Sequence, residues 1–336
     1  PKNRGHLREL LSDVMVRHSR GQISLQLPPR RAHTVHLPLH PDEHALYERI
    51  SGFTRAMMRD EGLASAHRFG LRTLLHEAGS SAAATRATLL SLAEVSGLAA
   101  HRRELVDMAG QAAAAATSAK AEALKKVLAA QAKTAGQHEK VIIFTQFRAT
   151  QTMLAAQMAA WGIDFALYHG GLTAAQKDAA IRAFHDHQPV LLSTEAAGEG
   201  RNLQFCRVMI NFDLPWNPMR IEQRVGRIHR VGQDQPVDIF NLAAEGTIED
   251  HVLQILDRKL NMFELVIGEM DMILGQMADE RDFEDIILDL WTQAQTQQQF
   301  SAEMAALGEA LLQARREYQK VKDYDEALFG EDFSTE

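Results

Sequence analysis

The chain of 336 residues has a single cysteine, Cys206, and contains no Gly-Lys dipeptide. One thiol excludes an internal disulfide framework and a thiolate-only zinc site, and it fits a reducing, cytoplasmic compartment. No uninterrupted apolar run approaches the roughly 18 residues of a membrane span. Pro1-Lys2-Asn3-Arg4 opens no secretory apolar region. The chain starts without methionine and in mid-pattern, as a piece of a longer one is expected to. Aromatic residues are scarce at 6%, yet 46% hydrophobic and 24% charged residues make an ordinary globular composition, which excludes wholesale disorder.

The missing Gly-Lys dipeptide means that the chain supplies no phosphate-cradling Gly-x-x-x-x-Gly-Lys-Ser/Thr loop. Asp42-Glu43 imitates a strand-terminal acidic pair, but Pro41 precedes it and no buried strand leads in, so a helix start is expected there. His33, His36, His40 and His44 match no metal-ligand spacing. His33 and His36 would face opposite sides of a strand, and Pro41 interrupts any helix joining His40 to His44; solvated histidines and no metal are expected. Gly198-Glu199-Gly200 lacks the third glycine of a dinucleotide fingerprint, because Leu203 takes that place. Neither a Ser-His-Asp nucleophile set nor a glycosidase carboxylate pair is supported.

Charge is unevenly spread. The formal total is -8, but residues 232–336 hold 7 Lys/Arg against 24 Asp/Glu, which leaves 29 against 20 upstream. A polyanion-binding face therefore belongs to the first 231 residues, and an acidic solvated tail to the rest.

Along the chain, a basic amphipathic segment (Leu7 to Arg17) runs into Pro28-Pro29, where helix stops. Thr34 to Leu39 alternates like a short edge strand. Helical pattern follows to about Ala135, with glycine breaks near Gly62, Gly79 and Gly97. At Val141-Ile142-Ile143-Phe144 the pattern becomes that of a strand buried on both faces. The alternation beyond it predicts a helix over 148–160, strand 163–168, helix 173–185, strands 189–193 and 207–212, helix 218–226, strand 237–242 and helix 247–265. This is the pattern of a wound parallel sheet. Residues 266–336 read as acidic helices.

Ligands of open α/β sheets bind at strand ends, and four such stretches stand out. They are Val141 to Phe147, Tyr168-His169-Gly170-Gly171, Ser193-Thr194 through Asn202-Leu203, and Gln223-Arg224-Val225-Gly226-Arg227-Ile228-His229-Arg230-Val231-Gly232-Gln233. On a helix, Arg227 and Arg230 would share a face and bring two guanidinium forks to one anion. The glycine turn after Ser193-Thr194 frees backbone N–H groups for a phosphate. Trp216, in an Asn-Pro-bounded loop, is read either as a base-stacking residue or as part of its own domain's packing.

In order and spacing these stretches resemble motifs IV, IVa, V and VI of superfamily-two helicase-like ATPases. The Asn211 to Pro218 connector and the His-Arg-Val-Gly-Gln ending narrow the resemblance to the Swi/Snf type, especially bacterial RapA-like members. The resemblance implies an α/β fold: a RecA-like parallel sheet flanked by helices, with an N-terminal helical insertion and a C-terminal helical tail. Its divisions would be 1–32 as the exit of a missing first lobe, 33–116 as a mainly helical insertion, 117–265 as the second RecA-like lobe and 266–336 as the acidic tail.

The resemblance further implies Arg227 and Arg230 as arginine fingers, and Gln223, Gly200 and Asn202 at an ATP cleft. Thr145, Gln146, His169, Gly170, Ser193, Thr194 and Trp216 would contact nucleic acid. ATP and Mg2+ would be held mainly by the missing lobe, so this part alone should be inactive. Double-stranded DNA and an N-terminal RecA-like lobe are the implied partners, with a DNA-bound protein complex or RNA polymerase as the open target. A cytoplasmic location follows, nucleoid-associated in a bacterium, with no membrane partner. The expected activity is duplex translocation. A strand-separating DNA or RNA helicase, or a non-enzymatic binding module, remains the alternative. Ala197, Glu199 and Arg201 depart from the eukaryotic pattern and speak against a chromatin substrate.

Overall fold

Val237 N–H donates to the Pro29 carbonyl (3.0 Å) just where strand β1, Arg30–Leu37, begins. The computed structural model describes residues 27–115, 118–134, 139–194, 203–265, 268–277, 279 and 281–329. The basic segment at Leu7 to Arg17 lies outside them.

Helices α1 (Pro41–Arg59), α2 (Glu61–Ser80), α3 (Ala82–Ala93), α4 (Arg102–Ala114) and α5 (Ala119–Thr134) follow β1, with a 3-10 turn over Ser96–His101. Next come β2 (Val141–Thr145), α6 (Arg148–Ala160), β3 (Phe165–Tyr168), α7 (Ala174–Asp186) and β4 (Val190–Thr194). The remaining elements of the sheet are β5 (Val208–Asn211), α8 (Pro218–Ile228) and β6 (Val237–Ala244). After α9 (Ile248–Leu253) the chain widens into a π-helical turn, Gln254–Lys259. The C-terminal helices are α10 (Glu269–Leu274), α11 (Phe283–Gln293) and α12 (Gln297–Phe329).

The six strands form one parallel sheet in the order β1-β6-β5-β2-β4-β3. Two features depart from the sequence expectation. The strand expected at Thr34 to Leu39 starts at Arg30 and pairs with β6 along its whole length, so a boundary at 32/33 would cut through a strand of the sheet. The helix expected over 247–265 ends its α-helical part at Leu253, and Asn261 in the left-handed region (φ 46°) closes the π turn.

Alternating strand residues feed two cores. Val141, Ile143, Val190, Leu192, Val208 and Ile210 face α5 and α6. Ile142, Phe144, Leu191, Met209 and Ile239 face a larger core, which includes Ile50 and Phe53 of α1, Ile221 and Val225 of α8, and Ile287, Trp291 and Phe300 of the C-terminal helices. Burial on both faces is what the near-continuous apolar strands require. The helices of 41–114 and 269–314 thus share one core with the sheet.

Polar contacts fix the docking. Asp42-Glu43 opens α1 as the helix start expected from Pro41: the Glu43 carboxylate accepts from the N–H groups of His40 (3.3 Å) and Ala119 (3.0 Å), which ties α1 to α5. Lys120 of α5 and Glu249 of α9, both buried, form an ion pair. Of the four histidines expected to be solvated, His33 and His44 are exposed and His36 and His40 are half-buried, and three of them meet carboxylates. His33 meets Asp238 (3.0 Å), His36 meets Asp250 (2.9 Å) and His40 meets Glu122 (3.2 Å). Among the described residues, no helix is long and apolar enough to cross a membrane.

Candidate functional site

All six strands run the same way, so the segments after β2, β3 and β5 emerge at one edge of the sheet, where β4 also ends. There Gln146 and His169 are half-buried and Gly170 is exposed. Partial burial lowers the His169 pKa, and the nearby cations of Arg148 and Lys177 lower it further. This cluster gives the edge a cationic lip beside exposed backbone, chemistry suited to a phosphodiester.

The other motif residues at this edge turn inward. Thr145 is fully buried and its hydroxyl donates to Asp213 Oδ2 (2.5 Å). Ser193, also buried, donates to the Thr194 carbonyl (2.6 Å), and Thr194 is itself covered. Trp216 is 2% exposed and stacks on His76 of α2 with ring centroids 3.7 Å apart. Thr145, Ser193, Thr194 and Trp216 are therefore not the surface contacts expected for them. Trp216 directly, and Thr145 through Asp213 and Ser80, meet the helical cover, where a buried hydroxyl without a partner would cost about 1–3 kcal/mol. Gly200 and Asn202 lie outside the described residues.

Helix α8 begins at the same edge and runs back toward the strand starts. Asn217 caps it, its side chain accepting from Met219 N–H (2.9 Å), and Pro218 stands in the first turn, where no N–H is missed. Ile221, Arg224, Val225 and Ile228 are buried, while Gln223 is exposed and Arg227 half-exposed one turn further on. The helix ends at Ile228. Arg230, exposed, lies beyond the cap residue His229, so the two arginines are not one helical turn apart as expected. The pair on one helical face is Gln223 with Arg227, and Arg230 extends from the bend that follows.

The His-Arg-Val-Gly-Gln ending builds that bend. His229 is buried and its Nε2 lies 2.8 Å from the Pro28 carbonyl, and burial lowers its pKa. Gln233 Nε2 donates to the carbonyls of Gln204 (2.9 Å), Cys206 (3.2 Å) and Ile228 (3.3 Å). Gly232 has φ +102°, and a Cβ there would stand 2.9 Å from Gln204 Oε1. Three residues of the motif thus hold the starts of β1 and β5 together, and the arginine between them is displayed.

Asp213 and Arg224 are absent from the motif-based set, although helical spacing places Arg224 on the buried stripe with Ile221, Val225 and Ile228. Arg224, 4% exposed, donates to Asn211 Oδ1 (2.9 Å) and to the Asp213 carbonyl (2.8 Å), and its guanidinium lies 5.4 Å from the Phe144 ring centroid. Arg224 is the buried anchor of α8.

The model of the helicase conserved C-terminal domain matches residues 119–232. The uncharacterized ATP-dependent helicase YqhH of Bacillus subtilis strain 168 is 36% identical over 306 residues, which cover 89% of this chain and 52% of the relative. The RNA polymerase-associated protein RapA of Proteus mirabilis strain HI4320 is 33% identical over 164 residues, 45% of this chain and 17% of that protein. The chain therefore spans about half the length of the Bacillus protein and far less of RapA. The crystal structure of the C-terminal part of the Fun30 ATPase domain shares the fold with a TM-score of 0.52 at 21% identity, covering 79% of this chain and 99% of that one. With the matched domain and these relatives in agreement, the chain contains the C-terminal domain of the helicase family.

Proposed function

We propose that this chain is the second lobe of an ATP-driven translocase on double-stranded DNA, working with an N-terminal RecA-like lobe. The observation that carries the reading is the display on and after α8. Gln223 and Arg227 share its exposed side, Arg230 stands exposed just beyond it, and Arg224, Gln233 and His229 hold the segment from beneath.

A nucleotide between two lobes would meet these side chains at its phosphates, and ATP with Mg2+ supplies the phosphoanhydride bond whose cleavage drives closure and opening. Permanently charged guanidinium forks suit that position. Their charge is worth most when a facing lobe excludes water, and an arginine finger contributes about 10³–10⁵ in turnover in enzymes of this chemistry. This chain carries no Gly-Lys dipeptide for the phosphate loop, so by itself it is expected not to hydrolyse ATP. Gln146, His169 and Gly170 form the DNA-facing edge, at the opposite end of the strands from Arg230.

The name of the Bacillus relative favours a second reading, strand separation. RapA, named as RNA polymerase-associated, makes polymerase one target to try. A two-arm assay separates the activities in the intact protein. With ATP, the translocase displaces a triplex-forming third strand from duplex DNA and leaves the duplex paired. Unwinding without triplex displacement supports the helicase instead.

A further inference from the structure

The buried carboxylate of Asp213 has no part in the chemistry above, yet it sits where three pieces of the molecule meet. It is 1% exposed. Its Oδ2 accepts from Ser80 Oγ (2.6 Å) and Thr145 Oγ1 (2.5 Å), and its Oδ1 accepts from the backbone N–H of Gln146 (2.8 Å) and lies 3.8 Å from Arg224 Nη2. Ser80 and Ser81, at the joint of α2 and α3, also bond Thr150 at the start of α6 (2.8 and 2.7 Å). One side chain thus fastens the Gln146 turn, the helical cover and the anchor of α8.

We infer that Asp213 is a positioning residue that couples occupancy of the Gln146 edge to the placement of α8, and so makes ATP turnover responsive to DNA. The inference rests on the translocase reading and deepens it. A phosphodiester bound at Gln146 pulls on a turn whose N–H is held by Asp213. The same residue, through its carbonyl and carboxylate, holds Arg224, and Arg224 fixes the helix that displays Gln223 and Arg227 on its other side. A buried ionic network resists partial rearrangement, because breaking one of its links leaves a further charge or donor unpaired in low dielectric. The three pieces therefore shift together or not at all.

Asp213→Asn tests this by chemistry. Its amide nitrogen keeps the shape but cannot accept, so either the Gln146 N–H or the two hydroxyls lose their acceptor, and Arg224 loses its counter-charge. Ser80→Ala removes the link from Asp213 to the helical cover, together with the Ser80 bond to Thr150, and leaves the other partners of Asp213 in place.

The experiment measures ATP turnover of the intact protein, with its first lobe, without DNA and at saturating duplex, alongside duplex affinity and melting temperature. Asp213→Asn is expected to lower the ratio of DNA-stimulated to DNA-free turnover at least about tenfold and to bind duplex within about threefold of wild type. Ser80→Ala is expected to lose about threefold of the stimulation while still showing a cooperative, modestly lowered melting transition. A merely structural role lowers both turnovers in proportion, and that result overturns the inference, as does wild-type stimulation in Asp213→Asn. If Asp213→Asn does not fold, wild-type stimulation in Ser80→Ala overturns it. Wild-type protein with no DNA stimulation removes the translocase reading itself, and the coupling with it, before any variant is made.

Discussion

Burial decides the chemistry of individual side chains in this lobe more than their identity does. Glu77 on α2 is covered, and the loss of hydration raises its carboxyl pKa from the ordinary 4.5 to about 7. A raised folded-state pKa contributes stability that is present in full below about 4.5 and is lost as pH rises through 7. Glu77→Gln should therefore match wild type near pH 4 and exceed it by roughly 2–3 kcal/mol at pH 8. Melting temperatures of both proteins from pH 4 to 9 check this, and a difference that does not change with pH contradicts it. His76, pressed against Trp216 and facing Arg72 and Arg220, runs the other way. Burial first and the two cations second lower its pKa to about 3, so its contribution is present above 6.5 and lost as pH falls. Its ring carbon shifts should stay those of neutral imidazole down to pH 5; titration near 6.5 would show that the stack does not hold.

Among elements, the strands and α6 were the most legible parts of the sequence. Continuous apolar runs such as Val141 to Phe144 have one outcome in a sheet covered on both faces, and helix 148–160 falls where its pattern placed it. Less legible was whatever depends on a distant partner. Nothing local in Arg30–Leu37 announces that it pairs with β6 two hundred residues on, and nothing in Thr145 or Trp216 says that Asp213 or His76 will tie it to a helical cover. The motif around α8 was legible as a motif, but its geometry was not, because the bend at His229 is made by contacts to Pro28 and Gln204 rather than by local propensity. The same distant contacts carry measurable energy. Gln233→Leu, which removes a donor shared by three carbonyls, should cost about 2 kcal/mol in denaturant unfolding. Lys120→Met leaves Glu249 buried without its cation and should cost about 3 kcal/mol, most of it recovered in the double variant with Glu249→Leu. Equal losses in the single and double variants would show that the pair itself is not what ties α5 to α9.

At the scale of the whole molecule, the acidic C-terminal region is not an appendage. Phe283, Ile287, Trp291 and Phe300 lie in the same core as Ile50 and Phe53 of α1 and Val225 of α8. Arg59 caps the end of α11 through the carbonyls of Thr292 (2.9 Å) and Ala294 (2.9 Å). Four large side chains at about 2 kcal/mol each approach the entire stability of an ordinary domain, so removing residues 283–336 should leave an insoluble or molten lobe. A truncated protein with a wild-type melting transition contradicts that. One consequence is that α8 is held on every side except the one that displays Gln223 and Arg227, with Arg230 just past its end, and this is the physical basis of the proposed motor. The decisive measurement is single-turnover ATP hydrolysis by the intact protein at saturating duplex DNA, with Arg227→Ala and Arg230→Ala beside wild type. The fingers require a fall of about 10³-fold or more in the rate of hydrolysis, with ATP affinity changed less than about tenfold. Hydrolysis at the wild-type rate in both variants would contradict the assignment and, with it, the role given to α8.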